Sequence, residues 1–149
     1  MWKGADAETY RSEGIIPQKA RPGAFSGPRH YSTLIMRLLR SGDKSAPHRL
    51  HQDEAWHFYL GGPLELTHIS PQGALTRVRL GRDVLNGEAA AYVVPAGHWF
   101  GARPCPGAEF CLLGCTVAPG FDFADFEAAD DGELEKLFPD LAEVIRELA

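Results

Sequence analysis

HRLHQDEAWHFYLG, residues 48–61, places three histidines, two carboxylates and three aromatic rings within fourteen positions. Catalytic and binding chemistry needs such groups close together, whereas a packed core tolerates them only when each polar group has a partner. Successive side chains leave a strand on opposite faces, and that alternation sorts them. If Glu54 points inward, Trp56 and Phe58 point with it, and His57 and Tyr59 point out. His48 and Leu50 face inward by the same parity. The stretch reads as two short strands, 46–50 and 54–60, flanking Gln52 and Asp53, with Gly61-Gly62-Pro63 closing the second.

Downstream, LELTHIS (64–70) largely alternates and Pro71-Gln72-Gly73 signals a hairpin. ALTRVRL (74–80) alternates cleanly, with Leu75, Arg77 and Arg79 on one face and Val78 and Leu80 on the other, as in an antiparallel sheet with one wet face. Residues 89–94 form a strand stopped by Pro95-Ala96-Gly97, and 98–103 continue extended. FCLLGCTV (110–117) is a continuous apolar strand of the kind buried on both faces. Residues 122–131 are acidic with phenylalanines interleaved; the rings are expected against the sheet and the carboxylates in water. Residues 133–148 have a helical pattern. Asp131 caps its start, Pro139 interrupts it, and Leu141, Val144, Ile145 and Leu148 form an apolar stripe. Upstream, 30–39 is the first convincing strand and 41–44 a turn. The Pro/Gly-rich segment 15–28 reads as an irregular arm with room for one edge strand, and 1–14 as a short helix stopped by Gly14.

About eight short strands with Gly/Pro turns and no alternating helices predict an all-β sandwich or barrel. A chain of 149 residues is one domain with a real core, organised as an N-terminal arm (1–29) and a main unit (30–149). The net charge of −5 disfavours nucleic acid and anionic membranes as partners. There is no apolar run long enough to span a bilayer, and the first residues lack the apolar core of a secretory signal. Three cysteines without such a signal read as free thiols in a reducing, cytoplasmic setting. Cys111 and Cys115 lie on one strand, about 13 Å apart, too far to bridge.

At 48–61 and 95–100 the sequence resembles the cupin superfamily. His48, Glu54 and Gly61 match the first cupin motif at its usual spacing, with Leu50 where a second histidine normally stands. Pro95 and Gly97 match the second motif, with Phe100 in place of its histidine. Two of the four usual metal ligands are thus replaced. The chain is more closely similar to one subgroup, cupin_5 or DUF985, a domain of unknown function. SerThr at 32–33, residues 45–66, 94–99 and the long block 112–127 carry that resemblance, which covers roughly residues 30–148. The subgroup's arm often reads PEGG and an aromatic; here it reads RPGAF at 21–25, so the resemblance assigns no pocket residue to the arm. It implies a jelly-roll barrel similar to the sugar-nucleotide 3,5-epimerases, with a C-terminal amphipathic helix, usually a homodimer and often without bound metal.

Within that frame His48 and Glu54 are the candidate catalytic pair. An imidazole titrates near neutral pH and suits a general base, with Glu54 orienting it or serving as a second acid/base. The resemblance to the epimerases implies a His base and a Tyr acid moving a proton beside a carbonyl; Tyr59 and Tyr92 are the tyrosines at hand. Trp56, Phe58, Trp99 and Phe100 would form an aromatic wall suited to a planar ring or a sugar, or else ordinary core. Arg103, and less so Arg49, would bind a ligand carboxylate or phosphate. His98 shares a face with Phe100, so His48, Glu54 and His98 form a candidate facial set for Fe, Mn, Ni or Zn. The alternative is that His48 and Glu54 bond each other in a metal-free pocket. Arg49 is expected in a structural salt bridge, Asp53 in shaping the turn, His51 and His68 at the surface, and His30 without a role. Asp122 and Asp125 fix a loop or lie in water. Three functions stay open: an isomerase, epimerase or lyase acting on a small polar organic substrate, a non-catalytic metabolite binder, and a metal-dependent oxygenase.

Overall fold

A strand that is apolar on one face must bury that face, and this chain does so by facing two antiparallel sheets toward each other. The computed structural model describes residues 5–20, 23–130 and 132–149. In chain order the strands are β1 (Ala5–Arg11), β2 (Ile15–Ile16), β3 (Arg29–His30), β4 (Thr33–Arg40), β5 (Ser45–Leu50), β6 (Asp53–Gly61), β7 (Leu64–Ile69), β8 (Leu75–Leu80), β9 (Ala91–Val94), β10 (Trp99–Pro104), β11 (Phe110–Ala118) and β12 (Phe126–Ala128). Two short helices follow, α1 (Glu133–Leu137) and α2 (Ala142–Leu148). The first sheet runs β1-β4-β11-β6-β9 and the second β12-β5-β10-β7-β8, with β2 and β3 forming a separate ribbon. This is the expected all-β jelly roll, although its two sheets stay open rather than closing into a barrel.

Parity places the core. Trp56, Cys115, Leu113 and Val94 from the first sheet meet Leu64, Leu66, Phe100 and Ala102 from the second. The continuous apolar strand β11 lies at the centre of its sheet, paired to β4 and β6, and Cys111, Leu113, Gly114, Cys115 and Val117 are buried on it. All three cysteines are buried free thiols. The outer face of the second sheet is covered by the C-terminal helices, where Ile69 and Trp99 pack on Leu134 and Ile145. The helical stretch over 133–148 is interrupted at Pro139, as expected, and forms two pieces. Pro139 cannot supply an amide to the helix, and a tight turn over Pro139–Leu141 separates α1 from α2.

The expected N-terminal helix is instead a strand. Residues 5–11 form an edge strand paired with β4 from Ala5↔Leu38 to Arg11↔Thr33, with a bulge between Glu8 and Tyr10. Residues 1–4 lie outside the described residues. The local sequence ADAETYR suits a helix, but the open edge of β4 offers a full ladder of hydrogen bonds, and tertiary pairing outweighs propensity. The arm is therefore built into the first sheet. The acidic segment also differs from expectation: Asp125 is buried, not solvated, and Phe123 is exposed.

Candidate functional site

Between the sheets lies a cavity of about 660 Å³, walled by β1, β4, β6 and β11 on one side and by β5, β12 and the 121–126 loop on the other. His48 and Glu54 both line it, one from each sheet, so the two halves of the opening motif meet at one space. Both are almost fully buried. His48 donates from Nδ1 to the Ala46 carbonyl at 2.8 Å, the role that a carbonyl partner imposes. That assigns the lone pair to Nε2. Its ring packs 4.2 Å from Phe100 and 5.2 Å from Phe126. Burial pushes its value down to about 3, with the Arg37 charge adding to the shift and the Ala46 bond opposing it. His48 is therefore neutral throughout the physiological range and a weak base.

Glu54 is the complement. Burial raises its carboxyl above the ordinary range, while the Arg37 charge, Cys115 and Trp56 pull it partly back. Its Oε2 has no hydrogen-bond partner among the described residues. A buried carboxyl without a full set of partners holds its proton to higher pH than a free one, and such groups concentrate at functional sites. Cys115, two positions along β11 from the residue paired with Glu54, also faces the cavity. Burial and the neighbouring Glu54 raise its thiol well above the ordinary value, so it is a filler and not a nucleophile.

Three further groups come from segments that motif reading passed over. Arg37 is buried, with Nε and Nη2 donating to the two Asp6 oxygens at 2.8 and 3.0 Å and Nη1 donating to Ser45 Oγ at 3.1 Å. Its guanidinium lies over the Trp56 ring at 5.2 Å. Arg11 pairs with Glu8 at 2.8 Å nearer the mouth. His30, expected to be without a role, lines the cavity and is held by the Ser12 carbonyl at 2.6 Å. Phe121, Phe123 and Phe126 close the remaining side. The 121–126 loop carrying them is pinned by Asp125, which accepts from Arg29 Nε and Nη2 at 2.7 and 2.6 Å and from Gln52 Nε2 at 2.7 Å. Parity could have found Arg37: in TLIMRLLR it shares a face with Thr33, Ile35 and Leu39, an inward cation on an apolar strand. No motif signals Asp6 or Glu8, because their place depends on the pairing of β1.

The remaining predicted residues do not assemble there. Trp56 is fully buried core, Phe58 packs against the same core, and Phe100 fills space beside His48, so none of them lines the cavity. Trp99 faces the helices on the far side of the second sheet, with the Arg49 guanidinium over its ring at 4.6 Å. Arg103 is paired with Glu65 at 3.0 Å and Glu147 at 3.5 Å, away from the cavity. Arg49 forms the expected ion pair, with Glu127 at 2.7 Å, and Asp53 accepts from the Ala96 amide at 2.7 Å in the expected turn. The proposed metal set fails on geometry: His98 does not line the cavity of His48 and Glu54. Its Nδ1 lies 3.0 Å from His68 Nδ1, and no three His, Cys, Asp or Glu groups converge among the described residues. His68, expected at the surface, is buried and also bonds Tyr92 Oη at 2.8 Å.

The family model described as "Cupin superfamily (DUF985)", Cupin_5, matches residues 1–129. The uncharacterized protein YML079W of Saccharomyces cerevisiae is 31% identical over 128 residues, 83% of this chain and 64% of that protein. The chain thus spans less than two thirds of that relative's length. A crystal structure of protein SO0799 from Shewanella oneidensis superposes with a TM-score of 0.86 at 37% identity, covering 98% of this chain and 86% of that one. A dTDP sugar isomerase from Desulfovibrio desulfuricans has a TM-score of 0.61 at 14% identity, covering 90% and 88%, a likeness of fold alone.

Proposed function

This chain belongs to the DUF985 family of the cupin superfamily, and from that premise we propose that it is a small-molecule enzyme of the isomerase, epimerase or lyase type, with Glu54 as the group that carries the proton. The observation behind this reading is the buried Glu54 carboxyl, raised and with one oxygen unpartnered among the described residues, on a cavity of ligand size shared with His48. A carboxylate at this position takes the proton from a carbon beside a carbonyl and returns it on the same face to the neighbouring carbon, while return to the opposite face takes a second acid, such as a substrate-bound water, across the cavity. His48, neutral at working pH, accepts a hydrogen bond from a substrate hydroxyl through Nε2. Raising a carboxyl by burial makes it a stronger base when ionised, which is how such groups are tuned for proton transfer.

The charges on the walls bear on the substrate. Both cavity guanidiniums, Arg11 and Arg37, are already matched to carboxylates of the chain, and Asp122 adds a further acid. Such a lining suits a neutral polyhydroxy or keto compound better than a phosphate ester. The test is proton exchange: the protein in D2O is given a panel of small ketoses, aldoses and 2-keto acids, and proton NMR follows loss of the C–H signal beside the carbonyl. Glu54→Gln should abolish exchange while leaving a ligand-induced rise in melting temperature. Exchange at the wild-type rate in Glu54→Gln sinks the assignment. Ligands that raise the melting temperature without any exchange favour the metabolite-binding reading instead.

The homodimer implied by resemblance has a natural surface. Helices cover the outer face of the second sheet, whereas the outer face of the first carries half-buried Leu34, Met36, Leu38 and Leu112 with exposed Tyr59 and Val93. A second copy of this chain would cover that face. Light scattering coupled to gel filtration should report twice the mass of one chain, falling to one chain for Leu112→Asp.

A further inference from the structure

Away from the cavity, where β7 meets the turn that precedes β10, two imidazoles face each other nitrogen to nitrogen. His68 Nδ1 and His98 Nδ1 are 3.0 Å apart, with ring centroids at 5.0 Å and planes inclined by 48°. Two lone pairs cannot share that space without a cation between them. In the resting protein one nitrogen carries a proton and donates it to the other. The pair is held from both sides. His68 is buried on β7 and tied through Nε2 to Tyr92 Oη at 2.8 Å. His98 sits on a turn fixed by three backbone donors: the Ala96 amide to Asp53, the Gly97 amide to the Leu50 carbonyl and the His98 amide to the Pro95 carbonyl.

We propose that His68 and His98 form a two-imidazole chelate for a divalent transition metal, with Cu²⁺ or Ni²⁺ as the fitting class. The separation discriminates between metals. Ligands at about 2.0–2.1 Å from a metal and 3.0 Å from each other subtend roughly 90°, the cis angle of a tetragonal or octahedral shell; a tetrahedral zinc would need the nitrogens about 3.3 Å apart. Binding replaces the shared proton: the Nδ1–H bond of one ring breaks, Nε2 of the same ring takes up a proton in its place, and two metal–nitrogen bonds form with no net proton released. Each ring then keeps its proton on Nε2. His68 donates that proton to Tyr92 Oη, the outer-shell contact that orients a metal-bound imidazole. No third His, Cys, Asp or Glu joins the pair among the described residues, so water completes the shell. Burial lowers the ordinary values of both histidines, which leaves them neutral and ready to ligate at pH 7; the neighbouring Asp53 charge opposes this at His98.

The experiment is calorimetric titration of tag-free protein with CuCl2 and NiCl2 in two buffers of different ionisation enthalpy, with electron paramagnetic resonance of the copper form. One equivalent should bind, the heats in the two buffers should agree because the neutral pair releases no net proton at pH 7, and the spectrum should show two nitrogen donors. His98→Ala, at a half-buried turn position, should weaken binding by about tenfold or more, and Tyr92→Phe by roughly tenfold through loss of the outer-shell contact. His68→Ala should do the same if it folds, and His98→Ala keeps the test decisive if it does not. Wild-type copper affinity in folded His98→Ala, or a spectrum with fewer than two nitrogens, overturns the proposal.

Discussion

Phe100 and His48 are register partners across β10 and β5, and their rings lie 4.2 Å apart. Phe100 occupies the position at which the cupin motif usually carries a histidine, so an apolar ring stands where a polar one would reach into the site. The contact helps to shut water away from His48, and that burial is the largest cause of its low value. Phe100→Ala should therefore destabilise the fold by about 3–5 kcal/mol, the usual cost of a core phenylalanine. It should also move the titration of His48 upward toward 6.5 as water enters. Proton NMR of the imidazole Cε1–H against pH checks this; a midpoint that stays near 3 would show that Phe100 is not what dries the ring.

His48 also sets a pH dependence of stability. Its folded value, about 3, lies below the unfolded 6.5, so the unfolded chain binds the extra proton. The stability associated with neutral burial is fully present above pH 6.5 and is lost as pH falls toward 3. This single group should cost about 2 kcal/mol between pH 7 and pH 5. Glu54 has the opposite sign: its raised carboxyl loses stability as pH rises from 4.5 through its folded value. Urea denaturation of wild type and His48→Gln at pH 7 and pH 5 separates the two. The wild type should lose about 2 kcal/mol more than the variant over that interval, and parallel losses would remove His48 as the source.

Arg37 couples the arm to the site. It bonds Asp6 on β1 and Ser45 on β5, and its charge lowers the Glu54 carboxyl. Arg37→Met should cost roughly 3–5 kcal/mol, since it leaves Asp6 without its partner in a partly buried position. It should also raise the Glu54 value further, seen as a move to higher pH of the loss of the protonated carboxyl band in an infrared titration. Unchanged carboxyl absorption would mean that Arg37 does not govern Glu54.

What the sequence disclosed, and what it withheld, follows from the range of the interactions. The strands from β4 to β11 announce themselves through period-two alternation and Gly/Pro turns, and parity correctly buries Glu54 and Trp56 while exposing Tyr59. His48 and Glu54 were legible because their motif spacing puts both into one interior. Asp6, Glu8 and Arg11 were not, because their position depends on an edge pairing between residues about thirty apart, for which ADAETYR carries no local signal. The aromatic wall was misassigned for a related reason. Alternation says that Trp56, Phe58 and Phe100 face inward, but not which part of the interior is packed solid and which is left open.

The last link concerns the loop that closes the cavity. Arg29 and Asp125 form a bidentate pair with side chains almost wholly buried, and Gln52 adds a third bond to the same carboxylate. Burial alone would raise Asp125; the bonds from Arg29 and Gln52 outweigh it and hold the carboxyl below its ordinary value. Asp125→Asn leaves the Arg29 cation buried without its counter-charge, at a cost of about 3–5 kcal/mol. It also frees the 121–126 loop, whose Phe121, Phe123 and Phe126 line the cavity. The outcome expected is a lower urea midpoint together with weaker binding of any ligand that stabilises the wild type. The double variant Arg29→Met, Asp125→Leu separates the two effects: apolar side chains of similar volume should restore much of the stability. Gln52 then loses its acceptor, so the loop and the ligand affinity should recover less than the fold. Full recovery of affinity in the double variant would show that the buried pair serves stability alone and does not hold the aromatic side of the cavity.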